Sequence, residues 1–320
     1  MSDNGYFIPH LLLSDIGYRY RIKPDCRKEI LMINRLSPQK KAAGFAILAA
    51  ALYAVNSPVS KLLLNHVPAA LLAGFLYLGA GIGMFFVGKI QNAANIGHGE
   101  LPLTKKDLPF TVGMVVLDIA APICLMAGLA NTTAANASLL NNFEIVATSV
   151  IALLLFGEAI RPRLWCAIAC VTAASAMLSF EDINSLTFSF GSLLVLLAAA
   201  FWGLENNCTR MLSTKNPLQI VTVKGIFSGL GSLACGIVIG ERYFQPIYIL
   251  LAMLLGFVAY GLSIFFYIYA QRTLGAAKTS AYYAVAPFIG AALSFLIFHE
   301  MPSGIFLAAL LLMLLGTYLA

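Results

Sequence analysis

The strongest constraint on this chain is its succession of apolar runs, each about as long as a helix needs to cross a bilayer. A hydrocarbon core about 30 Å thick takes about 20 apolar residues at 1.5 Å of rise each. Read with a window of that length, the sequence offers runs at about 42–64, 67–88, 108–130, 134–156, 164–180, 188–210, 217–240, 247–270, 276–298 and 303–320. The expectation is an all-α integral membrane protein with ten transmembrane helices. Composition agrees, with 60% hydrophobic and 11% charged residues, where soluble domains carry about 45–50% and about 25%. That excludes an ordinary soluble enzyme or signalling domain.

The formal charge of +6 could point to nucleic acid, so the placement of the cations decides its meaning. With the N-terminus inside, seventeen Lys and Arg fall in the N-terminal arm and the loops on its side. Only Lys61 and Arg242 fall on the other side, and Lys224 lies within helix 7. By the positive-inside rule both termini are cytoplasmic, in a multi-pass protein of the cell (inner, cytoplasmic) membrane, and the basic excess is topology. Residues 1–38 read as a disordered cytoplasmic extension, and Met32 as a native start.

Two halves repeat. Leu48–Lys61 (LAAALYAVNSPVSK) aligns without gaps to Leu197–Arg210 (LAAAFWGLENNCTR) at an offset of 149. Ala134–Phe156, followed by Gly157 and Glu158, aligns to Ala276–Phe298, followed by His299 and Glu300, at an offset of 142. The longer loop between helices 2 and 3 takes up the difference. Helices 1 to 5 (39–182) thus recur as helices 6 to 10 (183–320), and five being odd, the second copy enters the membrane inverted. Inverted repeats of this kind are typical of secondary transporters, with the substrate site near the midplane between the halves.

The paired AAALYAVNSPVSK and AAAFWGLENNCTR segments, the AANASLLNNFEIVATSVIALLLFGE run of helix 4 and the AVAPFIGAALSFLIFHEMP run of helix 9 resemble the EamA-like transporters of the drug/metabolite transporter superfamily. The resemblance covers about residues 40–320 and implies a ten-helix metabolite exporter. In one departure, helix 2 offers no basic residue at Gly74–Tyr77, where many members of that family carry one.

Ionisable groups within spans cost about 2.5–3.5 kcal/mol on insertion scales, which makes each a functional candidate. Asp118, Glu144, Glu205 and Lys224 qualify. Glu205 and Lys224, at similar depth, are expected to pair, while Asp118 and Glu144 have no cation at their own depth. Helical spacing sets Asn141 near Glu144, and Asn56 and Trp202 on the polar stripes of helices 1 and 6. With Tyr267 and Tyr283 they complete an expected substrate-binding set: Asn56, Asp118, Asn141, Glu144, Trp202, Glu205, Tyr267 and Tyr283. Pro58, Pro122 and Pro287 interrupt helices 1, 3 and 9 and read as hinges, with Lys224 as a structural or coupling residue. Gly79, Gly83, Gly225 and Gly229 mark close helix contacts. Glu158 and Glu300 are expected to meet the N-terminal ends of helices 5 and 10, and Lys61 to act as an interfacial anchor.

No cofactor or metal is expected: the six cysteines form no C-x-x-C pair, all four histidines lie outside the spans, and neither H-E-x-x-H nor a phosphate loop is present. The expected partners are a small-molecule substrate, the lipid bilayer and protons as coupling ion. The function expected is secondary efflux of an amino acid, a related zwitterionic or cationic compound, or a drug. A channel or a non-transporting scaffold is the alternative, since neither needs a motif.

Overall fold

The computed structural model describes residues 37–93, 101–157, 160–182, 187–212, 214–243, 245–274, 279, 282–300 and 302–320. Helix α1 runs Pro38–Ala54 and resumes after Val55 as Asn56–Leu63. It is followed by α2, Ala69–Ala93, and by α3, Leu108–Ala130, entered through the tight turn Lys105–Asp107. Helix α4 is again in two pieces, Ala134–Leu140 and Phe143–Phe156, and α5 is Pro162–Ser179. Two short antiparallel strands, β1 Phe180–Asp182 and β2 Thr187–Phe188, link α5 to α6, Phe190–Met211. Helix α7 is Pro217–Val238. Helix α8 joins Pro246–Gly256 to Ser263–Leu274 through a π-helical turn, Phe257–Leu262. The last two are α9, Ala286–Phe298, and α10, Gly304–Leu319.

Residues 37–41 form the first turn of α1, with Lys41 N donating to Ser37 O at 3.1 Å; residues 42–320 pack as one unit. Start signals are those the sequence supplies: Thr133, Ser189, Asn216 and Ser303 each accept a backbone N–H two or three residues into α4, α6, α7 and α10. Among the described residues, seven helical stretches, lying in α1 to α5, α7 and α8, are long and apolar enough to cross a membrane. Helices α9 and α10 are apolar but shorter, and α6 carries Glu205, Asn206, Asn207 and Arg210 in its last two turns. Large side chains such as Leu154, Phe227, Ile237 and Leu311 point outward, and Leu72, Leu76, Leu125, Leu139 and Leu140 fill the interior.

Without a hydrophobic drive between helices in lipid, close association rests on small residues that let backbones touch. Helix α2 packs most extensively on α7 and also on α8. A Cβ at Gly225 would overlap the backbone of Gly81, and one at Gly229 would lie 2.7 Å from Leu78 N. Gly79 and Gly256 interlock on the other side, since a Cβ on either would overlap the Met253 or Leu76 carbonyl. The other principal contacts join α3 to α6 and α7, α4 to α6 and α9, α1 to α8 and α9, and α5 to α10.

The expected interruptions of helices 1 and 9 are present: α1 breaks at Val55 just before Pro58, and the chain turns at Ala284 and Val285 just before Pro287, so each proline stands in the first turn of the piece that follows. Pro122 is the correction: it does not interrupt helix 3 but lies inside an unbroken α3. At the start of α10 the cap is Ser303, whose Oγ accepts from Phe306 N at 3.1 Å, and among the described residues no hydrogen bond joins Glu300 to that turn; Glu158 falls outside the described residues.

Candidate functional site

The buried polar centre is built where α2, α3, α6 and α7 meet. Asp118 on α3 is fully buried, Glu205 on α6 is 2% exposed and Lys224 on α7 is 7% exposed. Lys224 Nζ lies 3.0 Å from Asp118 Oδ2 and 3.0 Å from Glu205 Oε1. The pairing of Glu205 with Lys224 is as expected. Asp118, expected to lack a cation at its depth, shares the same ammonium, because the lysine stem of about 6 Å carries the charge away from its own Cα. The Asp118 carboxylate also accepts from Tyr77 Oη at 2.9 Å and Trp202 Nε1 at 3.3 Å. Glu205 accepts from the Thr209 hydroxyl one turn on. The cluster therefore holds two carboxyl groups and one ammonium.

A second polar group faces it across Tyr77, whose ring lies 5.0 Å from that of Tyr260. Asn56 Nδ2 donates to Tyr260 Oη at 2.9 Å, and Ser60 Oγ donates to Asn56 Oδ1 at 3.1 Å. The offsets of the two repeats place Asn56 and Ser60 opposite Glu205 and Thr209, and Tyr260 opposite Asp118. One hydroxyl-to-side-chain bond thus recurs in both halves, charged in one and neutral in the other. Lys224 itself corresponds to Phe75, so the cation absent from helix 2 stands at the matching place in its repeat partner. From Tyr260 an aromatic run continues through Tyr53 at 5.9 Å to Tyr283 at 5.8 Å and Tyr267 at 5.0 Å.

Two expected residues lie apart from this centre. Glu144 meets Asn206 on α6, whose Nδ2 donates to Glu144 Oε1 at 2.5 Å and to Thr148 Oγ1 at 3.3 Å. Asn141 is 6% exposed and lines a small cavity against α1 and α9. The helical spacing expected to set Asn141 near Glu144 does not hold, because the helix breaks at Asn141 and Asn142 and leaves Ser138 and Asn141 on one piece and Glu144 and Thr148 on the other. Tyr77 and Asn206 were not in the expected set. A hydroxyl in the apolar first five turns of α2, and an amide beside Glu205, are the signals that mark them.

A larger cavity of about 470 Å³ opens at the bundle end where α1 and α3 finish and α4 and α6 begin. Lys61, Asn131, Thr132, Asn136, Ser189 and Glu300 are among its walls. Lys61 is more than an anchor: its Nζ donates to Leu129 O at 2.6 Å, Ala130 O at 3.2 Å and Thr132 O at 2.8 Å, a cation on the C-terminal carbonyls of α3.

The sequence profile of the EamA-like transporter family matches residues 40–180 and again residues 189–320. The chain belongs to the EamA-like transporter family. It is thereby a multi-pass membrane transporter of the drug/metabolite transporter superfamily. It is 26% identical over 268 residues to an uncharacterized transporter of Methanothermobacter thermautotrophicus, covering 79% of this chain and 78% of that one. A protein of known crystal structure superposes with a TM-score of 0.64 at 17% identity, over 87% of this chain and 95% of its own. At that identity the likeness shows the fold alone.

Proposed function

We propose that this EamA-family transporter is a secondary carrier that exports a small zwitterionic or cationic compound, an amino acid, a relative of one, or a drug, by alternating access. Its spans number ten, arranged as two inverted repeats, 39–182 and 183–320, behind the extension 1–38. Both termini face the cytoplasm and the membrane is the cytoplasmic one. The contacts support the inverted pairing. Helices α2 and α7, α4 and α9, and α5 and α10 pack on their own counterparts, while α3 with α6 mirrors α8 with α1, and α4 with α6 mirrors α9 with α1. This is the pattern of a two-fold axis between the halves.

The observation that carries the substrate class is the buried cluster of two carboxyl groups and one ammonium, walled by Tyr77, Trp202 and Tyr260. One carboxyl group is in excess of the cations, so a proton or a cationic ligand group balances it, and aromatic faces add cation–π attraction. Asn56, Asp118, Trp202, Glu205, Tyr267 and Tyr283 form the binding surface, with Asn141 beside it. Glu144 serves the proton, and Lys224, Pro58, Pro122 and Pro287 serve coupling. The vestibule above Lys61 and Glu300 is one access route.

The test is counterflow in proteoliposomes over a panel of amino acids and organic cations. A carrier exchanges labelled for unlabelled compound and shows trans-stimulation; flux without trans-stimulation means a channel, and no flux with any compound means a scaffold. Glu144→Gln is expected to abolish the pH dependence of exchange. Unchanged exchange and pH dependence in that variant would remove Glu144 from the proton path.

A further inference from the structure

Three helix discontinuities meet at one place. Helix α1 breaks at Val55, α4 breaks at Asn141 and Asn142, and the chain turns at Ala284 and Val285 before α9. Between them lies a closely lined cavity of about 10 Å³, room for about one water or one ion. Its walls include Ala54, Ser57, Ser138, Asn141, Pro287 and Gly290.

These walls combine uncovered acceptors with the Tyr53 and Ser57 hydroxyls, each of which offers lone pairs as well as a hydrogen. Pro58 has no N–H to offer Ala54 O four residues before it, and a Cβ on Gly290 would lie 3.1 Å from that carbonyl, so the glycine keeps it uncovered. Asn141 is more than nine-tenths buried, and its Oδ1 has no hydrogen-bond partner. Ser138 Oγ spends its hydrogen on Ala134 O at 2.7 Å and is left an acceptor. The backbone N–H groups nearest the space are used or absent: Phe288 N and Ile289 N both donate to Val285 O, Asn141 N donates to Ala137 O, and Pro287 has none. No charged side chain lines the cavity.

A buried acceptor without a donor costs about 1–3 kcal/mol, and convergent neutral oxygens are the donor set of a hard cation. Unwound backbone at the membrane midplane serves sodium in other transporter folds. We infer that this cavity binds a single dehydrated sodium ion through the Asn141 carboxamide, the Ser57 and Ser138 hydroxyls and the Ala54 carbonyl. Its size disfavours potassium. By bridging the pieces of α1 and α4 against the start of α9, the ion links the continuity of two broken helices to its own occupancy.

The inference goes beyond the carrier reading and is tested without transport. Purified full-length protein in detergent is titrated with ²²Na⁺ at constant ionic strength made up with choline chloride. Saturable binding of one ion per chain is expected, displaced by unlabelled sodium at least tenfold better than by potassium. Asn141→Leu, which keeps the branched skeleton and removes the oxygen, is expected to weaken binding at least tenfold, and Ser138→Ala less. Asp118→Asn, in the central cluster, is expected to leave it within twofold. Monodispersity and helical circular dichroism confirm that each variant folds; if Asn141→Leu does not, Ser138→Ala carries the test. No saturable binding to 100 mM sodium means a water-filled cavity and overturns the inference, as does binding insensitive to Ser138→Ala and Asn141→Leu. Sodium binding in a protein that shows no counterflow would leave this site standing and remove the carrier reading alone.

Discussion

Replacing Lys224 with methionine tests the ion cluster most directly. The change keeps the length and apolar stem of the side chain and removes one ammonium that lies 3.0 Å from each of two carboxylates. Asp118 is then fully buried and Glu205 nearly so, and the ammonium that met both is gone. Breaking a buried pair by removing one partner costs about 3–5 kcal/mol, because the charge left behind is uncompensated. At about 1.4 kcal/mol per tenfold, that is a fall of about 10² to 10⁴ in the folded population ratio. Asp118→Asn leaves a matched pair, Lys224 with Glu205, and keeps an oxygen for Tyr77, so its expected cost is that of a weakened hydrogen bond, about 1–2 kcal/mol. The triple variant Lys224→Met, Asp118→Asn, Glu205→Gln carries no unmatched charge and is expected to recover most of the loss. The assay is unfolding in mixed micelles titrated with sodium dodecyl sulfate, followed by tryptophan fluorescence. If Lys224→Met and Asp118→Asn cost the same within about 1 kcal/mol, or if the triple variant recovers nothing, the ammonium does not hold the cluster together.

Two further outcomes follow from packing and capping. Gly79→Ala puts a methyl group into the Met253 carbonyl and is expected to cost about 1–3 kcal/mol, whereas Gly88→Ala on the same helix meets nothing within 4 Å and is expected to be neutral or stabilising; thermal melting of the two side by side decides. Glu241 accepts from Leu71 N at 2.9 Å and Ala70 N at 3.3 Å at the start of α2, so Glu241→Ala is expected to cost about 1 kcal/mol, with faster amide exchange confined to the first turn of α2.

The sequence made the architecture legible because lipid leaves so few options: runs of helix length, glycines at close contacts and a repeat with two offsets each have one physical reading. The pairing of Glu205 with Lys224 was legible for the same reason, both being near one end of neighbouring helices. Depth along a helix axis did not disclose the bond from Lys224 to Asp118, since a long side chain reaches across more than one turn. Nor did helical spacing place Asn141 and Glu144. Spacing arguments assume a continuous helix, and an Asn-Asn pair ends that continuity without the proline that signals it in α1 and α9. Tyr77 and Asn206 escaped because a neutral polar side chain costs too little in a span to draw notice until its charged partner is seen.

The mismatch between the two halves also has an electrical consequence. The charged group formed by Asp118, Glu205 and Lys224 answers a neutral one formed by Tyr260, Asn56 and Phe75, so the two groups that the repeat offsets relate differ in charge. A unit charge crossing the whole membrane potential does work of about 2.3 kcal/mol per 100 mV. Any rearrangement that changes the depth of an unprotonated cluster therefore contributes that work in proportion to the fraction of the field it crosses, and the neutral group contributes none to cancel it. On the alternating-access cycle proposed above, voltage would bias which way the molecule faces, and neutralising the surplus carboxyl group, by proton or by ligand, would switch that bias off.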